Sequence, residues 1–89
     1  MLISEIFISK ENKIKIFEKH NVLAKEIKEI ITEDKPIFRR VGGNQYICIG
    51  QSKSRYLTVF FEHSNDNSIE VTTAYPSSKN QVKFHRKTQ

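Results

Sequence analysis

Residues 36–75 read PIFRRVGGNQYICIGQSKSRYLTVFFEHSNDNSIEVTTAY, and this stretch sets the fold class. Apolar and polar residues alternate along it, and such alternation predicts β-strands. The predicted strands are Ile37–Val41, Gln45–Gly50, Arg55–Glu62 and Ser68–Tyr75. The three connections are short and rich in Gly, Asn, Ser and Asp, so the strands are expected to form antiparallel hairpins.

The residues before Pro36 follow a helical period instead. One helix is predicted from Lys10 to His20, where Ser9 can cap the N-terminus and Asn21 can end the helix. A second helix is predicted from about Leu23 to Glu33, because its isoleucines fall on one stripe and its lysines and glutamates on the other.

The two ends of the chain complete the predicted architecture. Residues 2–8 are apolar and fit either a first strand or the lead-in to a helix. Pro76 ends the last strand, and Ser77 or Ser78 can cap a short basic helix. We therefore predict one α+β domain over residues 1–89, with N-terminal helices packed on a small antiparallel β-sheet and a basic C-terminal tail or helix.

Alternation also divides the predicted sheet into two faces. The helices are expected on the β-branched face, which comprises Ile37, Val41, Ile47, Ile49, Leu57, Val59, Phe61, Ile69 and Val71. The opposite face is mixed and comprises Phe38, Arg40, Tyr46, Cys48, Tyr56, Thr58, Phe60, Glu70 and Thr72. The candidates for its occupant are the C-terminal tail, a partner protein and nucleic acid. Nucleic acid is a candidate because aromatic and arginine side chains together suit base stacking and phosphate contact.

The positive charge is concentrated in the second part of the chain. The net charge is +5. Residues 1–34 hold six lysines and seven carboxylates, whereas residues 35–89 hold nine Lys or Arg and three carboxylates. This asymmetry favours a polyanionic partner, and a basic surface that only aids solubility is the alternative.

Several classes of site are not expected. Cys48 is the only cysteine, so an internal disulfide cannot form. The histidines His20, His63 and His85 have no paired spacing, and neither a metal nor a cofactor is predicted. The chain has no apolar run long enough to span a membrane and no export signal, which indicates a cytoplasmic protein.

Four segments, in order, resemble motifs of the BrnT-type toxins. They are EKHNV (Glu18–Val22), FRRVGGNQYICIGQ (Phe38–Gln51), RYLTVFFE (Arg55–Glu62) and IEVTTAYPSS (Ile69–Ser78). The resemblance extends from about residue 7 to the end of the chain. Asn21 replaces the glycine that usually follows the histidine, and Tyr75 stands where many relatives carry an arginine.

The resemblance implies a RelE-like fold and the toxin role of a type II toxin–antitoxin pair. BrnT-like proteins are metal-independent ribonucleases that a cognate antitoxin neutralises. The resemblance thus implies that RNA and an antitoxin protein are the partners of this chain. A homo-oligomer within the antitoxin complex is an open possibility. The alternative is a non-catalytic RNA-binding or protein-binding domain with the same fold, which the residue at position 75 favours.

Metal-free RNA cleavage needs a base, an acid and cations for the developing phosphorane charge. The candidates for these catalytic roles are Arg40, Arg55, Tyr75, His20 and His85. Arg40 and Arg55 are expected to hold phosphate because a guanidinium matches two phosphoryl oxygens. A packed or capping role is the alternative for His20, and a disordered terminal position is the alternative for His85. The further residues expected to bind RNA are Arg39, Lys53, Lys79, Lys83, Arg86 and Lys87.

Overall fold

The computed structural model describes residues 1–32, 36–53 and 55–88. Within these ranges the elements are β1 (Glu5–Phe7), α1 (Lys10–His20), α2 (Ala24–Thr32), β2 (Ile37–Gly42), β3 (Gln45–Ser52), β4 (Arg55–His63), β5 (Ser68–Pro76) and α3 (Lys79–Thr88). This arrangement confirms the predicted α+β class. Glu33, the predicted end of the second helix, and Ser54, in a predicted turn, lie outside the described residues.

The strands form one sheet in the order β1-β5-β4-β3-β2. The pairs from β2 to β5 are antiparallel, as predicted. β1 adds a parallel partner to β5, with Ile6 opposite Ile69, so residues 2–8 contribute a strand and the sheet is mixed. The pairing of β1 extends only to Glu70, and the rest of the β5 edge continues beyond it.

Helix α1 begins and ends as its sequence predicts, and α2 begins at Ala24, next to its predicted start. The Ser9 hydroxyl accepts a hydrogen bond from the Asn12 amide, and Asn21 adopts a left-handed conformation with φ 55°. The amide of Asn21 donates to the carbonyl of Phe17, which satisfies one of the last carbonyl groups of the helix. Helix α2 buries Ile27, Ile30 and Ile31 against the sheet.

The predicted helix-facing side is correct for β4 and β5 but inverted for β3. Leu57 and Val59 belong to the core under α1 and α2. Cys48 lies directly opposite Val59 and therefore shares that face. A Cβ on Gly50 would lie 3.1 Å from the Ile30 side chain, so Gly50 also faces α2. Ile47 and Ile49, predicted to face the helices, point to the other side of the sheet.

The same inversion applies to β2. Phe38 pairs with Cys48 and packs on the helix-side core, whereas Ile37 pairs with Ile49 on the opposite face. Val41 is half exposed and does not belong to that core. Arg40 and Tyr46 pair with each other on the helix side and not on the predicted mixed face. We call the sheet face opposite α1 and α2 the outer face.

Helix α3 explains the inversion, because it packs on the outer face of β3. Consequently Ile47, Cys48 and Ile49 are all buried, although they alternate between the two faces. A strand that is buried on both sides has no polar face from which its orientation can be deduced. The predicted basic helix is confirmed, and Ser78 caps it by accepting from the Gln81 amide.

Candidate functional site

Tyr75 occupies the outer face near the end of β5, at the part of the β5 edge beyond β1. Its ring lies between two other aromatic rings: the centroid of His20 is 5.9 Å away and that of Phe60 is 6.2 Å away. The Phe60 ring is stacked on Tyr75, and the His20 ring is tilted by 51°. All three side chains are partly exposed. The sheet edge therefore presents an aromatic surface with one imidazole and one phenol.

Gln81 holds the hydroxyl group of Tyr75. Its amide nitrogen Nε2 donates to the Tyr75 oxygen at 3.1 Å. Its oxygen Oε1 accepts from the amide of Ser78 at 2.9 Å and from the hydroxyl of Thr58 at 2.9 Å. These three bonds fix the side chain, and Tyr75 keeps its own proton for an acceptor elsewhere.

The Thr58 hydroxyl is fully buried beneath this network. Because its single proton goes to Gln81, the hydroxyl of Ser77 must be the donor in the 2.7 Å bond between Ser77 and Thr58. Buried polar groups that are fully satisfied stiffen their surroundings. The β5–α3 junction thus fixes the position of the Tyr75 hydroxyl.

His20 reaches Tyr75 from the last position of α1. The left-handed Asn21 ends the helix immediately after it and turns the chain toward α2. The end of α1 in the motif that contains His20 therefore brings the imidazole to Tyr75, another of the predicted catalytic residues. Of the five predicted catalytic residues, these two are brought together in ring contact.

Arg55, which is predicted to hold phosphate, forms an ion pair with Glu26 in the structure. Its guanidinium donates to both Glu26 carboxylate oxygens, at 2.8 and 3.1 Å, and to the carbonyl of Asn21 at 2.8 Å. The hydrogen bond from Arg55 holds the pKa of Glu26 below its ordinary value. Glu26 in turn accepts from the amide of Leu23 and caps α2. Arg55 thereby fastens the turn that follows His20.

Arg39, and not Arg40, lies on the outer face. Arg39 pairs with Ile47, and its guanidinium lies 5.5 Å from the centroid of the Phe84 ring of α3. Arg40 lies on the helix side at the far edge of the sheet, where its Nε donates to the carbonyl of Gly43 at 2.7 Å. Arginine on an aromatic face keeps its charge available to a second partner. Arg39 is therefore the better placed of the two for an anion on this face.

Helix α3 carries most of the remaining predicted residues. Its exposed cationic side chains are Lys79, Lys83, Arg86 and Lys87. Arg86 lies over the ring of Tyr56, 6.0 Å from its centroid. His85 is 4% exposed and packs edge-on against Tyr56, so it belongs to the interior of the α3–sheet interface. Lys53 is exposed in the turn between β3 and β4.

The side chains that fix the Tyr75 hydroxyl, Gln81 and Thr58, were not predicted from the sequence as site residues. The spacing Ser78-x-x-Gln81 is a capping box, and the amide of Ser78 donates to the Gln81 side chain as that motif requires. It could have placed Gln81 at the start of α3, although not against Tyr75. Cys48 is fully buried, and this burial raises the pKa of its thiol to about 12.

Two further observations describe the residues over 1–32, 36–53 and 55–88. No three His, Cys, Asp or Glu side chains come together there as a metal site would require. None of the described helices is long and apolar enough to cross a membrane.

The fold defines a class of small α+β domains with two helices on one face of the sheet and a third on the other. Within this class, the chain is similar to the Brucella abortus ribonuclease toxin BrnT, whose crystal structure superposes with a TM-score of 0.70. The two share 12% sequence identity over 84% of this chain and 97% of that one. This confirms the resemblance to BrnT at the level of the fold. A scan against protein-family models and a search of curated proteins give no match.

Proposed function

We propose that this chain is the toxin of a type II toxin–antitoxin pair and acts as a metal-independent endoribonuclease. The observation that carries the proposal is the contact between His20 and Tyr75 at the edge of a basic, aromatic surface. An imidazole and a phenol together supply the two proton transfers that RNA cleavage needs. The BrnT-like fold supports the same reaction class.

In the proposed reaction the ribose 2′-oxygen attacks the adjacent phosphorus, and His20 takes the proton of that hydroxyl. The bond between phosphorus and the 5′-oxygen breaks, and Tyr75 gives its proton to the leaving oxygen. The products are a 2′,3′-cyclic phosphate and a free 5′-hydroxyl group. Solvent then returns the proton from His20 to Tyr75, which resets both groups.

The hydrogen bond from Gln81 assists this step. It places a donor on the phenol oxygen, 3.1 Å away, where negative charge develops as Tyr75 loses its proton. Arg39 and the exposed cations of α3 provide positive charge for the strand on the same face of the sheet. Phe60 offers a partly exposed ring for a base to stack on.

The proposed partners follow from the toxin role. RNA is the substrate, in the cytoplasm, and a cognate antitoxin protein is the inhibitor. An antitoxin that covers the basic face would block access to Tyr75 and would also stabilise a small domain by mass action. A homo-oligomer within that complex is compatible with the proposal.

Purified protein, freed of any antitoxin, tests the proposal directly. We expect it to cut single-stranded RNA in the presence of EDTA and to leave cyclic phosphate ends. His20→Gln should lower the cleavage rate by about 10²–10⁴-fold, the usual contribution of a general base. Expression of the wild type should slow growth, whereas His20→Gln should not. Absence of both cleavage and growth inhibition in the wild type would contradict the proposal.

A second candidate function is a non-catalytic RNA-binding domain. The stacked, partly exposed pair of Phe60 and Tyr75 beside basic side chains favours it, since such rings bind unpaired bases whether or not they react. This candidate predicts RNA binding without cleavage and a loss of binding in Phe60→Ala. It also predicts that His20→Gln behaves like the wild type in RNA binding, in RNA cleavage and in its effect on growth.

A further inference from the structure

A small polar cavity lies between α1 and β5, next to the His20–Tyr75 pair. Its volume is about 250 Å³, and the ionisable side chains that line it are Lys15, Lys19 and His20. The same His20 thus borders the cavity on one side and Tyr75 on the other. Neither lysine was among the residues predicted to bind RNA.

The local sequence explains why these side chains share a cavity. Asn12, Lys15, Ile16 and Lys19 recur at intervals of three and four residues, which places them on one face of α1. Ile16 is 2% exposed and anchors that face in the core. The side-chain amide of Asn12 donates to the carbonyl of Val71 at 3.1 Å and ties the start of the helix to β5.

The opposite wall of the cavity comes from β5, at Thr72 and Thr73. Thr72 is the extra residue of a bulge, because Phe60 pairs with Thr73 and Phe61 pairs with Val71. The bulge lies beyond Glu70, where the pairing of β1 ends, so this part of the edge faces α1. The Thr72 hydroxyl donates to the carbonyl of Phe60 at 3.2 Å, which leaves the Thr73 hydroxyl as the candidate donor from this wall.

The chemistry of this lining suits a phosphate group. Lys15, Lys19, the His20 imidazole and the Thr73 hydroxyl line the space, and the described lining contains no carboxylate. Lysine is a common phosphate ligand because its point charge needs no particular orientation. Glu11, the nearest acidic partner, bonds Lys15 at 2.9 Å from an exposed position outside the lining.

We propose that this cavity is a subsite for a backbone phosphate of single-stranded RNA, next to the phosphate that reacts at His20 and Tyr75. The inference rests on the proposed function, because the strand must already pass His20. It extends the RNA-contacting surface from α3 across the sheet edge to α1. Residues 1–34 as a whole carry a net negative charge, so a count of charges along the sequence does not reveal this basic surface on α1.

Binding of an uncleavable strand tests the subsite separately from catalysis. A 2′-O-methyl RNA oligonucleotide lacks the attacking hydroxyl, so its dissociation constant can be measured at several salt concentrations. Each phosphate contact contributes about 0.7 to the slope of log affinity against log salt for a single strand. We expect the double variant Lys15→Gln/Lys19→Gln to lower this slope by about 1.4, twice that contribution.

The control is Lys10→Gln/Lys13→Gln, which removes the same charge from exposed positions of α1 outside the cavity. It should change the slope by much less than the cavity variant. Equal changes in the two variants would mean that only overall charge matters, and they would overturn the subsite. Thermal melting of both variants checks that the helix is intact.

Glu11→Gln provides a test of opposite sign. It removes the carboxylate that competes for Lys15 and should tighten binding by about twofold, the usual strength of an exposed pair on a helix. The same substitution in the Lys15→Gln/Lys19→Gln background should have a smaller effect, since the freed lysine is absent. Unchanged or weaker binding in Glu11→Gln alone would overturn the role of Lys15.

Inorganic phosphate distinguishes a strand from a free anion. At matched ionic strength we expect it to leave the oligonucleotide bound, because an isolated phosphate lacks the neighbouring contacts. Displacement from the wild type, but not from the double variant, would overturn the assignment to a strand. If the wild type binds RNA but does not cleave it, the proposed catalysis is wrong. The salt slopes of the wild type and of the lysine variants still show whether the subsite exists. If the wild type does not bind, both proposals are wrong.

Discussion

Arg55 and Glu26 form an ion pair with a shortest distance of 2.8 Å, and this pair connects the start of β4 to the first turn of α2. The same guanidinium donates to the carbonyl of Asn21, the residue after His20. A strand of the sheet therefore fixes the turn that directly follows His20. The contact of Arg55 with this turn is made to the backbone of Asn21.

Arg55→Gln should destabilise the protein by about 1 kcal/mol, the upper end for a partly exposed ion pair. The reason is loss of the pair and of the bond to Asn21. Urea denaturation measures the change, and a double-mutant cycle with Glu26→Gln isolates the pairwise part. Lys15→Gln, which breaks an exposed pair within α1, is the control and should leave stability unchanged. Equal effects from the two variants would contradict the anchoring role.

The stabilisation from Glu26 should depend on pH. Its pKa in the folded protein is lowered from 4.5, chiefly by the hydrogen bond from Arg55. A lowered pKa means that the carboxylate stabilises the fold above pH 4.5 and that this contribution disappears as the pH falls through the folded-state pKa. The stability difference between wild type and Glu26→Gln should therefore shrink as the pH falls below 4.5. A difference independent of pH from 7 to 3 would contradict this assignment.

Two glycines test the orientation of β3. Gly50→Ala should destabilise the protein by roughly 1–3 kcal/mol, because the new Cβ would lie 3.1 Å from Ile30 and overpack the α2–sheet contact. Gly42→Ala is the matched control, since nothing lies within 4 Å of the added carbon. Chemical denaturation of the two variants measures the difference. Similar stabilities would mean that Gly50 does not face α2.

The fold was largely predictable because local signals agree with it. Pro36 separates the helical period from the alternating one, and Ser9 and Asn21 mark both ends of α1. The orientation of β3 was not predictable from the alternation of its residues. Ile47 and Ile49 pack under α3 on the outer face, and Gly50, which has no side chain, lies in close contact with α2 on the other face. Both faces of β3 are apolar, and the packing of α3 on the outer face decides which of them faces α2.

The site was predictable only in part, for a related reason. His20 is predicted from the BrnT-like motif and Tyr75 from its position at a strand end, and the structure places the two in ring contact. Arg55 was chosen for its charge, but its bonds to Glu26 depend on a contact between residues that are 29 positions apart. Spacing along the chain carries no information about such a contact.

Arg39 and Arg40 are neighbours in sequence that lie on opposite faces, so they form a matched pair. Arg39→Gln should weaken RNA binding and lower the salt slope by about 0.7. Arg40→Gln should change the slope much less, because its guanidinium lies at the far edge and bonds Gly43. Oligonucleotide binding across a salt series measures both. A larger effect at Arg40 would place the strand on the helix side of the sheet.

Tyr75→Phe tests the proposed acid, because it keeps the ring between His20 and Phe60 and removes only the hydroxyl. The variant should cut RNA about 10²–10⁴-fold more slowly, with the loss in kcat and with little change in KM, since stacking is preserved. Stability should fall by about 1 kcal/mol, because the bond from Gln81 is lost.

Tyr46→Phe is the control for Tyr75→Phe, because it removes a tyrosine hydroxyl from the helix side of the sheet, where Tyr46 stacks on Phe61. It should leave cleavage unchanged. Single-turnover cleavage at saturating protein separates chemistry from binding, and thermal melting confirms that both variants fold. Full activity in Tyr75→Phe would exclude proton donation by Tyr75. A rise in KM without a fall in kcat would instead assign Tyr75 to base stacking, the role that the non-catalytic alternative gives it.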